Sequence, residues 1–107
     1  MTFRERRRHE RVTVDLHVYW GWTEDCHLQG RIISLSEGGY FLRTTQSVPH
    51  GTEIFVRFWL PEERTLRGEV RYHLENWGVG VEFQGLGAEE SARLIALVEH
   101  YRGRQPQ

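Results

Sequence analysis

Hydrophobic and polar residues alternate along most of residues 12–83, with the two-residue period that is typical of half-buried β-strands. The clearest example begins after Arg11, where alternate apolar residues would share one face of a strand: Val12, Val14, Leu16, Val18 and Trp20. Further extended segments follow between turn-forming residues, at 26–34, 40–42, 54–60, 66–72 and 78–83. The pattern therefore predicts six strands, the fifth with Val70 and Tyr72 on the same face.

The period of the pattern changes near Gly87 and becomes helical. Four apolar residues recur at helical spacing (Leu94, Leu97, Val98 and Tyr101), and Glu89 and Glu90 occupy the first turn. Short antiparallel strands followed by one amphipathic helix predict a mostly β fold, a six-stranded antiparallel β-barrel covered by a C-terminal α-helix. We expect an arm over 1–11, the barrel over 12–84 and the helix over 87–102.

The 107 residues have the length of one ordinary domain, so we expect a single hydrophobic core. No apolar run approaches the roughly 20 residues that a membrane-spanning helix needs, and no signal-peptide core follows the N-terminus. These observations predict a cytoplasmic protein.

The net charge of −1 hides an uneven distribution. All fourteen basic residues are arginine, and five of them lie within residues 1–11, whereas residues 12–107 are net acidic. A guanidinium group grips phosphate oxygens, binds the edge of guanine and stacks on a purine. An arginine-rich arm of this kind favours a nucleotide partner, and a solvated or unspecific polyanion-binding tail is the simpler alternative.

Catalytic and metal-binding patterns are missing from the sequence. The six histidines are scattered, without the spacing of a metal site, and no nucleophile motif or phosphate-binding glycine loop is present. The single cysteine, Cys26, is expected to be a small buried residue in a strand, and the four tryptophans are expected to pack in or around the core. We therefore expect a protein that is not an enzyme and needs no cofactor or metal.

Two short motifs stand out along the chain. The first is Arg7-Arg8-His9-Glu10-Arg11, directly before the first strand, and the second is Ser34-Leu-Ser36-Glu-Gly-Gly39, after the second strand. A late-strand segment, Trp77-Gly-Val-Gly80-Val-Glu-Phe83, completes the pattern. Together these segments resemble the PilZ domain family, which is marked by two arginines separated by three residues and by Asp or Asn, any residue, Ser, any two residues and Gly.

The resemblance implies a split six-stranded barrel that binds the bacterial second messenger cyclic di-GMP. Arg7 and Arg11 match the family's arginine pair, although Arg4 and Arg8 have the same spacing. Arg6 precedes the pair, and in this family an arginine there accompanies binding of an intercalated ligand dimer.

The second motif of the family implies the remaining ligand-binding residues. Ser36 would offer a hydroxyl group, while Gly39 admits a backbone conformation with positive φ and a close approach of the ligand. Ser34 stands where the family has Asp or Asn, and a serine usually meets only one donor of a guanine edge. Glu37 and Asp25 are candidates to replace the missing acceptor.

Three functional hypotheses follow. The leading hypothesis is a cyclic di-GMP receptor that changes its arm conformation or oligomeric state, with a homodimer as one possibility, and signals to an unidentified protein partner in trans. The second is a degenerate PilZ-like adaptor that binds proteins but no nucleotide. The third, a module for single-stranded nucleic acid, is disfavoured because the barrel and helix are net acidic.

Overall fold

The computed structural model describes residues 10–59 and 62–105, without the side chain of Phe58. Within these residues, six strands and one helix follow one another: β1 (Val12–Gly21), β2 (Leu28–Ser36), β3 (Gly39–Arg43), β4 (Glu53–Trp59), β5 (Glu63–Leu74), β6 (Gly78–Phe83) and α1 (Ala88–Arg102). The predicted arm, residues 1–11, lies outside the described residues except for Glu10 and Arg11.

The strands form a closed antiparallel barrel in the order β1-β2-β3-β6-β5-β4. Most neighbours pair along most of their length, whereas β1 and β4 meet through only three residue pairs, Tyr19–Gly21 with Phe55–Arg57. The first half of β1, which directly follows the arginine motif, therefore pairs with β2 alone among the described strands. The predicted six-stranded antiparallel barrel with a C-terminal helix is confirmed.

The barrel interior is filled by the alternating apolar residues of the strands. The largest fully buried side chains are Trp20, Tyr40, Ile32, Leu35, Leu42 and Ile54. Each buried aliphatic side chain of this size contributes roughly 1.5–3 kcal/mol relative to an exposed one, so this core is what holds the barrel together. Trp20 lies in the core as predicted, whereas Trp22, Trp59 and Trp77 are exposed at the surface.

β-Bulges change which face of a strand some residues occupy. On β5, Val70 pairs with Val81 and Tyr72 pairs with Gly80, so Arg71 is an extra residue in this strand. The expectation that Tyr72 shares the core face with Val70 is therefore wrong, since its side chain points outward and is 45% exposed. A bulge in β2 between Ile32 and Ser34 likewise turns Ser34 away from the core.

Cys26 also differs from its predicted place. It is buried, as expected, but it lies in the loop before β2 rather than in a strand, with a φ of 51°. Burial raises the pKa of its thiol above the ordinary value. The residue is therefore a buried, neutral thiol in this loop.

Helix α1 packs against β1 and β2 and buries Leu94 and Val98. At its N-terminus the Glu90 Oε1 atom accepts a hydrogen bond from the Gly87 backbone N–H at 3.1 Å. Its C-terminal end is at Arg102, next to the root of the arm. The C-terminal end of the helix thus lies beside the residues that lead into β1.

Candidate functional site

Arg11, the last arginine of the first motif, lies on the outer face of the barrel beside Ser34. Its Nη1 atom donates a hydrogen bond of 3.0 Å to the Ser34 Oγ atom. The contact exists because Thr13 of β1 pairs with Ser34 of β2, which places the residue before β1 next to the end of β2. The structure therefore brings one residue from each motif into direct contact.

Ser36 stabilises the tight turn between β2 and β3. Its Oγ atom accepts hydrogen bonds from the Gly38 and Gly39 backbone N–H groups at 3.1 and 3.2 Å, and the residue is 3% exposed. The three-residue spacing of Ser36 and Gly39 suits this turn, since a hydroxyl at that place reaches the two following amides. Ser36 therefore shapes the backbone next to Arg11.

Gly39 is required for close strand packing. Gly39 does not use the positive φ that a glycine permits, since it is not among the residues with positive φ in the described part of the chain. Gly39 pairs with Glu82 of β6, and a Cβ atom at position 39 would overlap the carbonyl oxygen of Val81. The glycine therefore lets β3 and β6 approach each other closely.

A pocket of about 260 Å³ opens on the outer face at this point. It is lined by Arg11, Ser36, Gly38, Gly39, Arg71, Tyr72, Gly80, Val81 and Glu82. Three of the predicted site residues, Arg11, Ser36 and Gly39, thus border one cavity, while Ser34 touches Arg11 from outside the lining. Arg6 and Arg7 lie outside the described residues.

Strands β5 and β6 contribute residues to this pocket that the sequence motifs did not indicate. Arg71 lies within 3.4 Å of the Glu82 Oε1 atom and of Glu69, and its side chain is half exposed. The glycines of the segment Gly78–Gly80 were the available signal, since they mark close packing on β6. The bulge at Arg71 gave no such signal.

An aromatic pair borders the pocket through Tyr72. The rings of Phe41 and Tyr72 are stacked, with centroids 6.1 Å apart. Both residues pair with Gly80, which has no side chain to separate them. Phe41 is nearly buried and Tyr72 is half exposed, so the Tyr72 ring has a side that a flat ligand can reach.

Trp77 has a different neighbour. Its ring is covered by the Arg43 guanidinium group, 3.9 Å from the ring centroid, and the Arg43 Nε atom donates a hydrogen bond to the Trp77 carbonyl oxygen at 3.0 Å. This arrangement agrees with the expectation that Trp77 packs at the rim.

The root of the arm is attached to the end of helix α1. Glu10 forms an ion pair with Arg102 at 3.2 Å. The Gln105 side chain accepts a hydrogen bond from the Thr13 backbone N–H at 2.8 Å and donates one to the Thr13 carbonyl oxygen at 3.0 Å. Residues on both sides of Arg11 are thus bound by the C-terminal segment.

The described residues show neither a metal site nor a membrane-spanning helix. Among residues 10–59 and 62–105, no three histidine, cysteine or acidic side chains gather in a way that could hold a metal ion. Within the same described residues, no helix has the length and apolar character needed to cross a membrane. A second pocket, of about 290 Å³, is lined by β4, β5 and the helix N-terminus and contains none of the motif residues.

Comparison with solved structures places the fold. It is similar to the PilZ domain of CeSA from a cellulose-synthesizing bacterium, with 18% identity, a TM-score of 0.67 and coverage of 87% of this chain and 98% of that one. It is also similar to the Bacillus subtilis inhibitor of motility, MotI/DgrA (17% identity, TM-score 0.76), and to K. pneumonia MrkH (15%, 0.65). The alignments cover 94% and 92% of this chain but only 53% and 51% of those two chains.

Sequence comparison identifies the family. No curated protein sequence matches the chain. The family model of the PilZ domain matches residues 5–100, from the arginine-rich arm to the last turns of α1. This match includes both motifs and all six strands, so the chain belongs to the PilZ domain family.

Proposed function

We propose that the protein is a cyclic di-GMP receptor, without enzymatic activity, that signals to a protein partner in trans. The observation that carries the proposal is the convergence of Arg11, Ser36 and Gly39 on one outer pocket. Arg71 and Tyr72 border the same pocket, which adds a second guanidinium group and an aromatic ring. The family supplies the ligand class, and the pocket supplies groups that suit it.

The chemistry of these groups matches a dianionic ligand with two guanines. Arg11 and Arg71 can bind phosphate oxygens or the O6 and N7 atoms of guanine through their guanidinium groups. The exposed side of the Tyr72 ring can stack on a purine. Arg11 is exposed, and its side chain donates a hydrogen bond to the neutral Ser34 hydroxyl. A charged phosphate oxygen would accept a stronger hydrogen bond from Arg11 and would therefore take the place of this hydroxyl.

The size of the pocket supports a role for the arm. Ligand-binding pockets usually measure roughly 300–1,000 Å³, and this one, at about 260 Å³, would enclose only part of a cyclic dinucleotide. We infer that Arg7, together with Arg11, closes over the exposed part of the ligand. Arg6 would contribute a third guanidinium group to the four negative charges of an intercalated ligand dimer.

The contacts at the root of the arm suggest how binding changes the protein. Movement of Arg11 toward a ligand would pull on Glu10 and Thr13, which are bound by Arg102 and Gln105. Ligand binding would thereby alter the C-terminal segment, on the side of the barrel where α1 packs. We infer that a protein partner recognises this change, either directly or through a homodimer.

Calorimetric titration with cyclic di-GMP tests the proposal. The wild-type chain should bind the ligand saturably and in preference to cyclic di-AMP and GMP, whereas Arg7→Ala and Arg11→Ala should abolish binding or weaken it strongly. Arg67→Ala is the matched control, because Arg67 is a half-exposed arginine on β5 that forms an ion pair with Glu53 outside the pocket. A ratio near two ligands per chain that falls to one in Arg6→Ala would support the intercalated dimer.

The same titration separates the alternatives. No saturable heat up to about 100 µM ligand, equivalent to about −5.5 kcal/mol, would contradict the receptor proposal and favour a PilZ-like adaptor that binds only proteins. The replacement of the family's Asp or Asn by Ser34 is the observation that favours this second function. Binding that weakens steeply with salt and does not distinguish between nucleotides would instead indicate general affinity for polyanions.

A further inference from the structure

The pocket raises the question of which group reads the edge of guanine. In the family motif an Asp or Asn occupies the position of Ser34, and such a side chain can accept hydrogen bonds from guanine N1–H and N2–H₂. Here the Ser34 hydroxyl is bound to Arg11 and does not line the pocket. A different acceptor is therefore needed if the protein is to select guanine.

The two acidic residues suggested by the sequence do not occupy the right place. Asp25 lies in the loop between β1 and β2, at the opposite end of β1 from Arg11, next to His27 and Arg57. Glu37 lies in the turn between β2 and β3 and is not among the residues that line the pocket. The acidic residue that does line it, Glu82, comes from β6.

Glu82 is well placed for this purpose by the sheet register. It lies on the outer face, alternating with the inward residues Val81 and Phe83, and pairs with Gly39 on β3. Gly39 has no side chain and lines the same pocket as Glu82 and Ser36, so the Glu82 carboxylate and the second motif border one cavity. Arg71 holds the Oε1 atom of this carboxylate at 3.4 Å, while the side chain stays half exposed.

The chemistry of a carboxylate suits the edge of guanine. Its two oxygens can accept hydrogen bonds from N1–H and N2–H₂ side by side, and the charge strengthens both bonds. Adenine presents an acceptor at its own N1, which a carboxylate repels, so the same group rejects the wrong base. Arg71 and Arg11 would offset the repulsion between this carboxylate and the phosphates of the ligand.

We propose that Glu82 is the specificity-determining residue that reads one guanine in place of the motif's missing Asp or Asn, with Arg71 as its positioning residue. This inference rests on the proposed receptor function. It adds a contact on β6, outside the two motifs, and makes the guanine selectivity of this chain depend on a carboxylate that the family pattern does not include.

The test compares the affinities of two ligands for the wild type and for two variants. Cyclic di-GMP and the corresponding cyclic dinucleotide of inosine, which lacks the N2 amino group, are titrated into the wild type, Glu82→Gln and Glu82→Ala. The wild type should prefer the guanine ligand by about 10-fold or more, since a hydrogen bond to a charged group is lost with inosine. In Glu82→Ala the guanine ligand should bind about 5- to 150-fold more weakly and the two ligands should become nearly equal.

Glu53→Gln is the matched control. Glu53 is a half-exposed strand glutamate that forms an ion pair of 3.6 Å with Arg67 on another part of the barrel, as Glu82 does with Arg71 at 3.4 Å. Its replacement should leave both affinities unchanged. Thermal unfolding followed by circular dichroism checks that each variant folds, and Glu82→Gln, which keeps the shape of the side chain, carries the test if Glu82→Ala is unstable.

The outcomes distinguish the inference from the function on which it rests. If the wild type binds cyclic di-GMP but the Glu82 variants bind as tightly as Glu53→Gln, the assignment of Glu82 is wrong and the receptor function stands. The assignment is also wrong if the variants lose affinity equally for both ligands, because Glu82 would then not read the N2 amino group. If the wild type binds neither ligand, the receptor function itself fails, and the assignment with it.

Discussion

The ring of Tyr72 lies directly over Gly80, its cross-strand partner, and occupies the space that a side chain at position 80 would need. On the other side, Gly80 pairs with Phe41, whose ring stacks against Tyr72. A single glycine in β6 therefore allows residues from two different strands to form one aromatic surface at the edge of the pocket. The importance of the late-strand glycine lies in this packing.

Replacing Gly80 with alanine should displace the Tyr72 ring and lower the free energy of unfolding by about 1–3 kcal/mol, because the added methyl group overlaps the ring. Chemical denaturation measures the loss. In a Tyr72→Ala background the same substitution should cost much less, since the obstacle is gone. Gly103→Ala is the control: its nearest neighbour is at 3.8 Å, so an alanine there should change stability little.

Ser36→Ala should destabilise the hairpin between β2 and β3. The substitution removes the acceptor of the Gly38 and Gly39 backbone N–H groups, at a cost of about 1–3 kcal/mol. Urea denaturation, together with hydrogen exchange at these two amides, measures the effect. Ser47→Ala, at an exposed serine, should stay within about 0.5 kcal/mol of the wild type; equal losses in the two variants would contradict this role for Ser36.

Gln105→Ala should loosen the root of the arm. The side chain forms hydrogen bonds with the backbone of Thr13 and Tyr101, and their loss should lower the free energy of unfolding by about 1–2 kcal/mol. Hydrogen exchange at the Thr13 amide should become faster than in a control, Gln29→Ala, at an exposed glutamine of β2. Unchanged protection of Thr13 would show that the C-terminal segment does not restrain the arm.

Glu89 should make the stability of the protein depend on pH. The hydrogen bond from Arg93, and then the charges of Arg93 and Arg64, hold the pKa of this carboxyl below its ordinary value of 4.5. Because the pKa is lowered in the folded state, the ionised group stabilises the fold above pH 4.5, and this contribution is lost as the pH falls through the lowered pKa. Glu89→Gln should therefore be less stable than the wild type at pH 7.

The difference between Glu89→Gln and the wild type should narrow on acidification and disappear once the pH falls below the lowered pKa of Glu89, where both side chains are neutral. Thermal unfolding at a series of pH values measures it. In an Arg93→Ala background the effect of Glu89→Gln at pH 7 should be smaller, because the hydrogen-bond donor is missing. A difference that persists unchanged at acidic pH would point to a packing effect instead of a charge effect.

Much of the fold could be predicted from local patterns. Six extended segments, most of them alternating, and one helical segment correspond to the six strands and the helix, because burial of one face imposes a period on the sequence. The ends of the strands could not be predicted in this way. Strand β5 begins at Glu63 rather than Leu66, because pairing with β4 extends the ladder through polar residues. The resemblance of the two motifs also indicated the family, which the match over residues 5–100 establishes.

The sequence by itself determined the strand count, the helix, the motif residues and the family. Only the tertiary structure decided that Ser34 and Tyr72 face outward, because bulges in β2 and β5 shift the alternation by one residue. It also decided that Arg71, Tyr72 and Glu82 border the same pocket as Arg11. Arg11 is distant in the chain from the other three residues. The hydrogen-bonded register between neighbouring strands, which no local pattern encodes, brings them together.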